Sequence, residues 1–219
     1  METQAFMTGL KKDLEGLLAK LKPNETLVEE SRGKLEIPLL LKIALKNEME
    51  ATLVGARWAD NTPEVFCKLA FARQVGDESK HYRLIEARLK ELGENLEGFD
   101  PLQPNLSPLT DYLLNLTTTL EKAAAGPFAR EAIAVVKNNQ FISLLKEKGD
   151  LATAKLYEET IQIDEAHHHQ LGENLLLRLV KTGEDQMRVT AAVEKTLGLA
   201  EELTRLAAEK KGLVRAPGC

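Results

Sequence analysis

Two copies of one five-residue element, Asp77-Glu78-Ser79-Lys80-His81 and Asp164-Glu165-Ala166-His167-His168, stand 87 residues apart in this chain. Each holds a Glu and a His three residues apart, which a helix brings onto one face about 60° apart at ~100° per residue. The surrounding sequence favours helix almost throughout. Leu, Ala, Glu and Lys dominate, aromatic residues are 5%, and β-branched runs are short. A duplicated Glu-x-x-His in such a chain restricts the fold sharply. Two helices carrying it, with one further Glu from each of two others, converge in a four-helix bundle as a two-metal carboxylate site. Partners stand at suitable distances: Glu48 is 30 residues before Glu78, and Glu131 is 34 before Glu165.

Punctuation along the chain predicts the layout. A single domain over 1–219 has its bundle core at about 38–181, an N-terminal helix at about 3–21 ending at Lys22-Pro23-Asn24, and a C-terminal helix at about 184–210. The first core helix runs from about Pro38 to Ala59, and Asn61-Thr62-Pro63 breaks it. The second starts at Pro63 with Thr62 as N-cap and ends near Gly93. Residues 93–108 carry Gly93, Gly98, Pro101, Pro104 and Pro108, and a connection of this length crosses the bundle to start its second half. The third helix begins near Ser107-Pro108, is interrupted by a kink or junction at Gly126-Pro127, and resumes to about Lys148. The fourth follows Gly149-Asp150, over roughly 150–181.

Helical-wheel positions separate inward carboxylates from surface ones. Leu41, Ala44, Leu45, Thr52, Gly55 and Ala59 fall on the face of Glu48, whereas Glu50 points the opposite way, among Lys46 and Arg57, and reads as solvated. Glu78 and His81 share a stripe with Cys67, Phe71, Gln74, Val75, Tyr82, Ile85 and Leu89. Glu131 lies with Phe128, Ala134, Val135, Asn138, Ile142 and Leu145. Glu165 and His168 lie with Ala154, Glu158, Ile161, Gly172 and Leu176, the least apolar stripe. Four inward carboxylates cannot be buried bare, because mutual repulsion and lost hydration both oppose ionisation. Two divalent cations balance the four charges, and two neutral imidazoles complete the set. His169 is the rival of His168 as ligand, His167 points outward, and Glu158 reads as an extra ligand, an entry-path carboxylate or a solvated side chain. An Asp one residue before each ligand Glu would reach the His of the opposite helix, so Asp77 would hold His168 and Asp164 would hold His81.

Net charge is −5 with Lys and Arg dispersed, which is no nucleic-acid footprint. No apolar run reaches ~18 residues, so the expectation is a cytoplasmic protein without a membrane partner. Cys67 and Cys219 build neither a disulfide framework nor a thiolate metal site.

Glu48, Glu78-x-x-His81, Glu131 and Glu165-x-x-His168 together resemble the ferritin-like di-iron carboxylate superfamily over about residues 38–181, and the Asp-Glu-x-x-His form resembles its oxygen-activating branch. The resemblance implies an all-α ferritin-like bundle with a long crossover and extra terminal helices. It also implies six metal ligands (Glu48, Glu78, His81, Glu131, Glu165 and His168) around two iron ions, or manganese and iron. The expected activity is O₂ activation for oxidation of a small hydrophobic substrate, with a separate electron donor. The alternatives are a ferroxidase or peroxide scavenger, and a non-enzymatic scaffold with a structural metal. This chain departs from named members: Gly55, Ile85 and Val135 stand where ferritins, ribonucleotide reductases and monooxygenases carry Tyr, Tyr and Thr. Gly55, Ala59, Ala134 and Val135 would leave apolar room beside the metals. Surplus amphipathic faces suggest a homodimer.

Overall fold

The computed structural model describes residues 2–19 and 36–211, with the side chains of the last helix as far as residue 202. The expected helix end at Lys22-Pro23-Asn24 and the residue Cys219 lie outside the described residues. Helix dominates, and no strand occurs among the described residues. In chain order, α1 is Thr3–Leu18, α2 Ile37–Asn61, α3 Val65–Glu91 and α4 Pro108–Leu114. Helix α5 comprises Thr119–Ala123, a π-helical Ala124–Arg130 and Glu131–Glu147. Helix α6 comprises Leu151–Leu156, a π-helical Tyr157–Ile161 and Gln162–Leu179, and α7 is Gly183–Lys211.

Three boundaries differ from the sequence-based expectation. Thr62 closes α2 in an extended conformation, as a residue before proline is driven to do, and Glu64 rather than Thr62 stands at the N-cap of α3. The third long helix does not begin at Ser107-Pro108. Ser107 caps the short α4, its hydroxyl accepting from the Thr110 N–H, and Thr118 then starts α5 by accepting from the Glu121 N–H. Gly126-Pro127 neither breaks nor ends α5. Pro127 has no N–H to donate and its ring crowds the preceding turn, and a wider π turn accommodates both.

That π turn is a packing device. A Cβ at Gly126 would collide with the Trp58 ring of α2, and one at Gly172 would collide with the backbone of Pro127 and Phe128. The two glycines therefore let α5 lie close against both α2 and α6. Trp58 is fixed in turn by donating its indole N–H to the Leu113 carbonyl of α4 at 3.1 Å.

Apolar side chains collect in two clusters. One gathers Met7, Trp58, Phe71, Phe128, Ile133 and Leu176, with α7 contributing Val189 and Val193. The other gathers Leu40, Leu45, Ile85, Leu89, Phe141, Leu145 and Tyr157. Along α2, α3 and α6 the residues between these clusters include Glu48, Glu78, His81, Glu165 and His168, and on α5 Glu131 joins them from within the stretch of the first cluster, all buried. Helix α1 docks along α6: Lys11 pairs with Glu173 at 2.9 Å, and the Thr3 hydroxyl donates to the Val180 carbonyl just past its end. No helix among the described residues is long and apolar enough to cross a membrane.

Candidate metal centre

Burial of carboxylates in a layer with apolar clusters on either side demands a compensating charge. All six predicted ligands meet there, the most exposed being Glu48 at 5%. Their donor atoms form two overlapping groups, each within 4.8 Å of one another: Glu48, Glu78, His81 and Glu165, and Glu78, Glu131, Glu165 and His168. Glu78 and Glu165 belong to both. Each group thus has one His, one Glu of its own and two shared Glu.

The imidazoles are oriented from behind, crosswise between helices. His81 Nε2 lies 3.0 Å from Asp164 Oδ2, and His168 Nε2 lies 3.1 Å from Asp77 Oδ2. With Nε2–H donating to an Asp, Nδ1 of each ring is left facing the carboxylates. His81 Nδ1 is 3.4 Å from Glu48 and 3.5 Å from Glu78, within ion-pair range but without hydrogen-bonding geometry. His168 Nδ1 is 3.2 Å from Glu165 Oε2. Lys80 pairs with Asp164 at 2.6 Å, and Arg73 lies 3.6 Å from Asp77.

The electrostatics are those of a cluster balanced by protons. Burial raises Glu48 to about 7 against the pull of His81, and it pushes Glu165 well above the carboxylate range, aided by Glu78, Glu131 and Glu48. Burial would raise Glu78 as well, but His81, Arg130 and His168 outweigh it and hold it low. Burial opposes charge on the imidazoles, yet the carboxylates overcome it and raise His81 to about 12 and His168 to about 10. Even so, bonding capacity is left over. Glu78 Oε2, His81 Nδ1 and Glu131 Oε2 are buried without a hydrogen-bond partner. Such orphaned atoms are costly and rare. Oxygen and imidazole donors facing one another in two groups of four suit divalent iron or manganese, which accept both atom types. The residues fit a pair of such ions.

Other expectations resolve differently. Glu50 is not solvated: it is buried, its carboxylate accepting from the Ser107 N–H at 2.9 Å and from the Thr110 hydroxyl, with Lys46 at 3.0 Å. Ser107, ahead of α4, and Thr110 within it cover the face of α2 that a wheel assigns to water. His169 is directed away from the cluster, its ring bonded to the Phe128 carbonyl at 2.7 Å and stacked on Phe128. His167 is exposed. Glu158 is exposed and paired with Lys146, because the π turn in α6 inserts an extra residue between it and Glu165 and rotates it off the inner face. Tyr157 is turned inward instead. Its hydroxyl is buried without a partner, and its ring packs edge-on against Phe141 at 5.0 Å.

Next to Gly55 and Glu131 the expected apolar room is small. A Cβ at Gly55 would sit 2.8 Å from Val75 Cγ2, so that glycine serves close helix approach. The cavity bordering Glu131, lined by Ala51, Gly55, Trp58, Gln74, Gly126 and Arg130 among others, measures about 10 Å³, about one water. Two polar neighbours of the site escape sequence reasoning in their roles. Gln74 Nε2 donates to Glu131 Oε1 at 2.6 Å and Glu78 Oε1 at 3.2 Å, and Arg130 Nη1 donates to Glu131 Oε1 at 2.8 Å. The available signals were the position of Gln74 one turn before Glu78 and the adjacency of Arg130 to Glu131. No known family model, curated protein or solved structure matches this chain, so its assignment rests on these residues themselves.

Proposed function

We propose that the chain is a ferritin-like four-helix-bundle protein holding two iron ions, or manganese and iron, and that it acts as an oxidoreductase toward O₂. The observation that carries this reading is the pair of overlapping four-residue donor groups with three orphaned buried atoms. In it, Glu48 and His81 hold one ion and Glu131 and His168 the other. Glu78 and Glu165 serve both. When bound and reduced, the metals would supply electrons to O₂.

The chain's own residues do the rest. Asp77 and Asp164 keep the imidazole tautomers fixed, and the apolar clusters keep bulk water out. The imidazoles with Glu48 and Glu165 hold protons without cations and release them when cations enter. An oxidation of a small organic molecule needs space that the 10 Å³ cavity beside Glu131 does not offer, and this favours a second reading, ferroxidase or peroxide-scavenging chemistry without an organic substrate.

The test is anaerobic loading of chelator-treated protein with Fe(II), at two equivalents and then in large excess, followed by O₂. An oxygen-activating centre consumes O₂ in proportion to about two irons per chain and then stops. Sustained turnover of excess iron or of peroxide selects the second reading. Absence of bound metal would leave a non-enzymatic helical scaffold.

A further inference from the structure

The two halves of the cluster keep different company. Arg130 Nη1 and Gln74 Nε2 both donate to Glu131 Oε1, so Oε2 is its one bare oxygen. Glu48 instead faces His81 Nδ1 at 3.4 Å. These cationic neighbours respond differently to an arriving metal ion. An imidazole, in either half, sheds its proton and becomes a ligand. A guanidinium keeps its charge at any pH at which proteins stay folded. Arg130 is 8% exposed, so solvent screens that charge poorly.

Resting on the two-cation reading above, we propose that Arg130 makes the two positions unequal. The cation held with Glu48 and His81 enters first. The one held with Glu131 and His168 enters second and at least about tenfold more weakly, and a half-loaded protein accumulates when metal is scarce. Two effects point the same way. The guanidinium repels the second cation, and the two hydrogen bonds on Oε1 occupy the oxygen that would otherwise add to Glu131's donor strength. Gln74 also ties Glu131 to the shared Glu78, so the arrangement is held in place rather than free to swing aside.

The experiment is calorimetric titration of the chelator-treated full chain with Co(II) at fixed pH, with anomalous diffraction on crystals given one equivalent. Wild type is expected to show two steps at least tenfold apart, with the first ion beside Glu48 and His81. Arg130→Gln should tighten the second step about tenfold and move the first less, while Arg130→Lys keeps two separated steps. Two equal steps in wild type overturn the inference and leave the two-cation reading intact, as does a first ion beside Glu131. An unchanged ratio in folded Arg130→Gln does the same. Should that variant fail to fold, the wild-type site occupancy decides alone. Absence of any Co(II) binding overturns the two-cation reading and this inference with it.

Discussion

Glu48 and Glu50 are neighbours on α2, 5% and 2% exposed, yet they belong to regions built on opposite terms. Around Glu50 both oxygens are occupied by the Ser107 N–H, the Thr110 hydroxyl and Lys46, and no atom is left wanting. Around Glu48, four carboxylates and two imidazoles crowd together and three buried donor or acceptor atoms have no partner. Burial of a carboxylate is common to both. Unmet bonding capacity is not, and it separates a clamp from a site: a clamp is complete as folded, whereas the cluster is complete only with something added.

The largest expected effect tests that contrast directly. Glu78 belongs to both donor groups, so Glu78→Ala should reduce bound metal from two ions per chain to near zero. Glu131→Ala should lose one, and Glu50→Ala none. Metal analysis after saturation and desalting reads all three. Equal loss in Glu50→Ala and Glu131→Ala would erase the distinction between clamp and site.

Next in size is the response of the chelated protein to pH. His81 and His168 have folded pKa values of about 12 and about 10 against an ordinary 6.5, so each contributes stability that is complete below 6.5 and is lost as pH rises through its folded value. Glu48, raised from 4.5 to about 7, makes the folded state bind its proton more tightly and adds a loss between those values. The chelated protein should therefore lose roughly 2–4 kcal/mol between pH 6.5 and 8, seen as a falling Tm. Glu50→Ala should show the same slope, since the clamp takes no part in it. Metal-loaded protein should reverse the trend, because binding releases protons. A flat or rising profile in the chelated protein would mean that the cluster does not store protons.

Smaller again is the cost of opening the clamp. Glu50→Ala leaves the Ser107 N–H and the Thr110 hydroxyl without an acceptor and should cost about 2–3 kcal/mol in denaturant unfolding, with metal content intact. A loss below about 0.5 kcal/mol would return Glu50 to the surface role that its wheel position suggests.

This contrast also marks what the sequence could tell. Glu78 with His81, and Glu165 with His168, are set by i, i+3 spacing, a local property that any helix enforces, and the all-helical character follows from composition in the same way. The burial of Glu50 comes from Ser107 and Thr110, 57 and 60 residues further along the chain, and no wheel contains them. The exchange of Glu158 for Tyr157 on the inner face comes from a π turn, which shifts the wheel without any glycine or proline to announce it. Gly126-Pro127 did announce a disturbance in α5. Whether it would break the helix or widen one turn depended on Trp58 and Gly172 packing against it.

The smallest effect concerns the Asp residues behind the histidines, and it sharpens the comparison within the cluster itself. Asp77 orients only the imidazole of the Glu131 half, and Asp164 only that of the Glu48 half. Asp77→Asn keeps the shape but replaces a charged acceptor with a neutral one, so His168 becomes a weaker and less firmly placed donor. Metal affinity should fall about tenfold, at the weaker of the two steps. Asp164→Asn should lower the tighter step by a similar factor. It also frees Lys80, but that side chain is 42% exposed and returns to water at little cost, so the fold should hold. Co(II) titration of both variants separates the steps. If either substitution weakens both steps equally, the two histidines are not independently held, and the halves of the cluster respond as one body rather than as two positions of different strength.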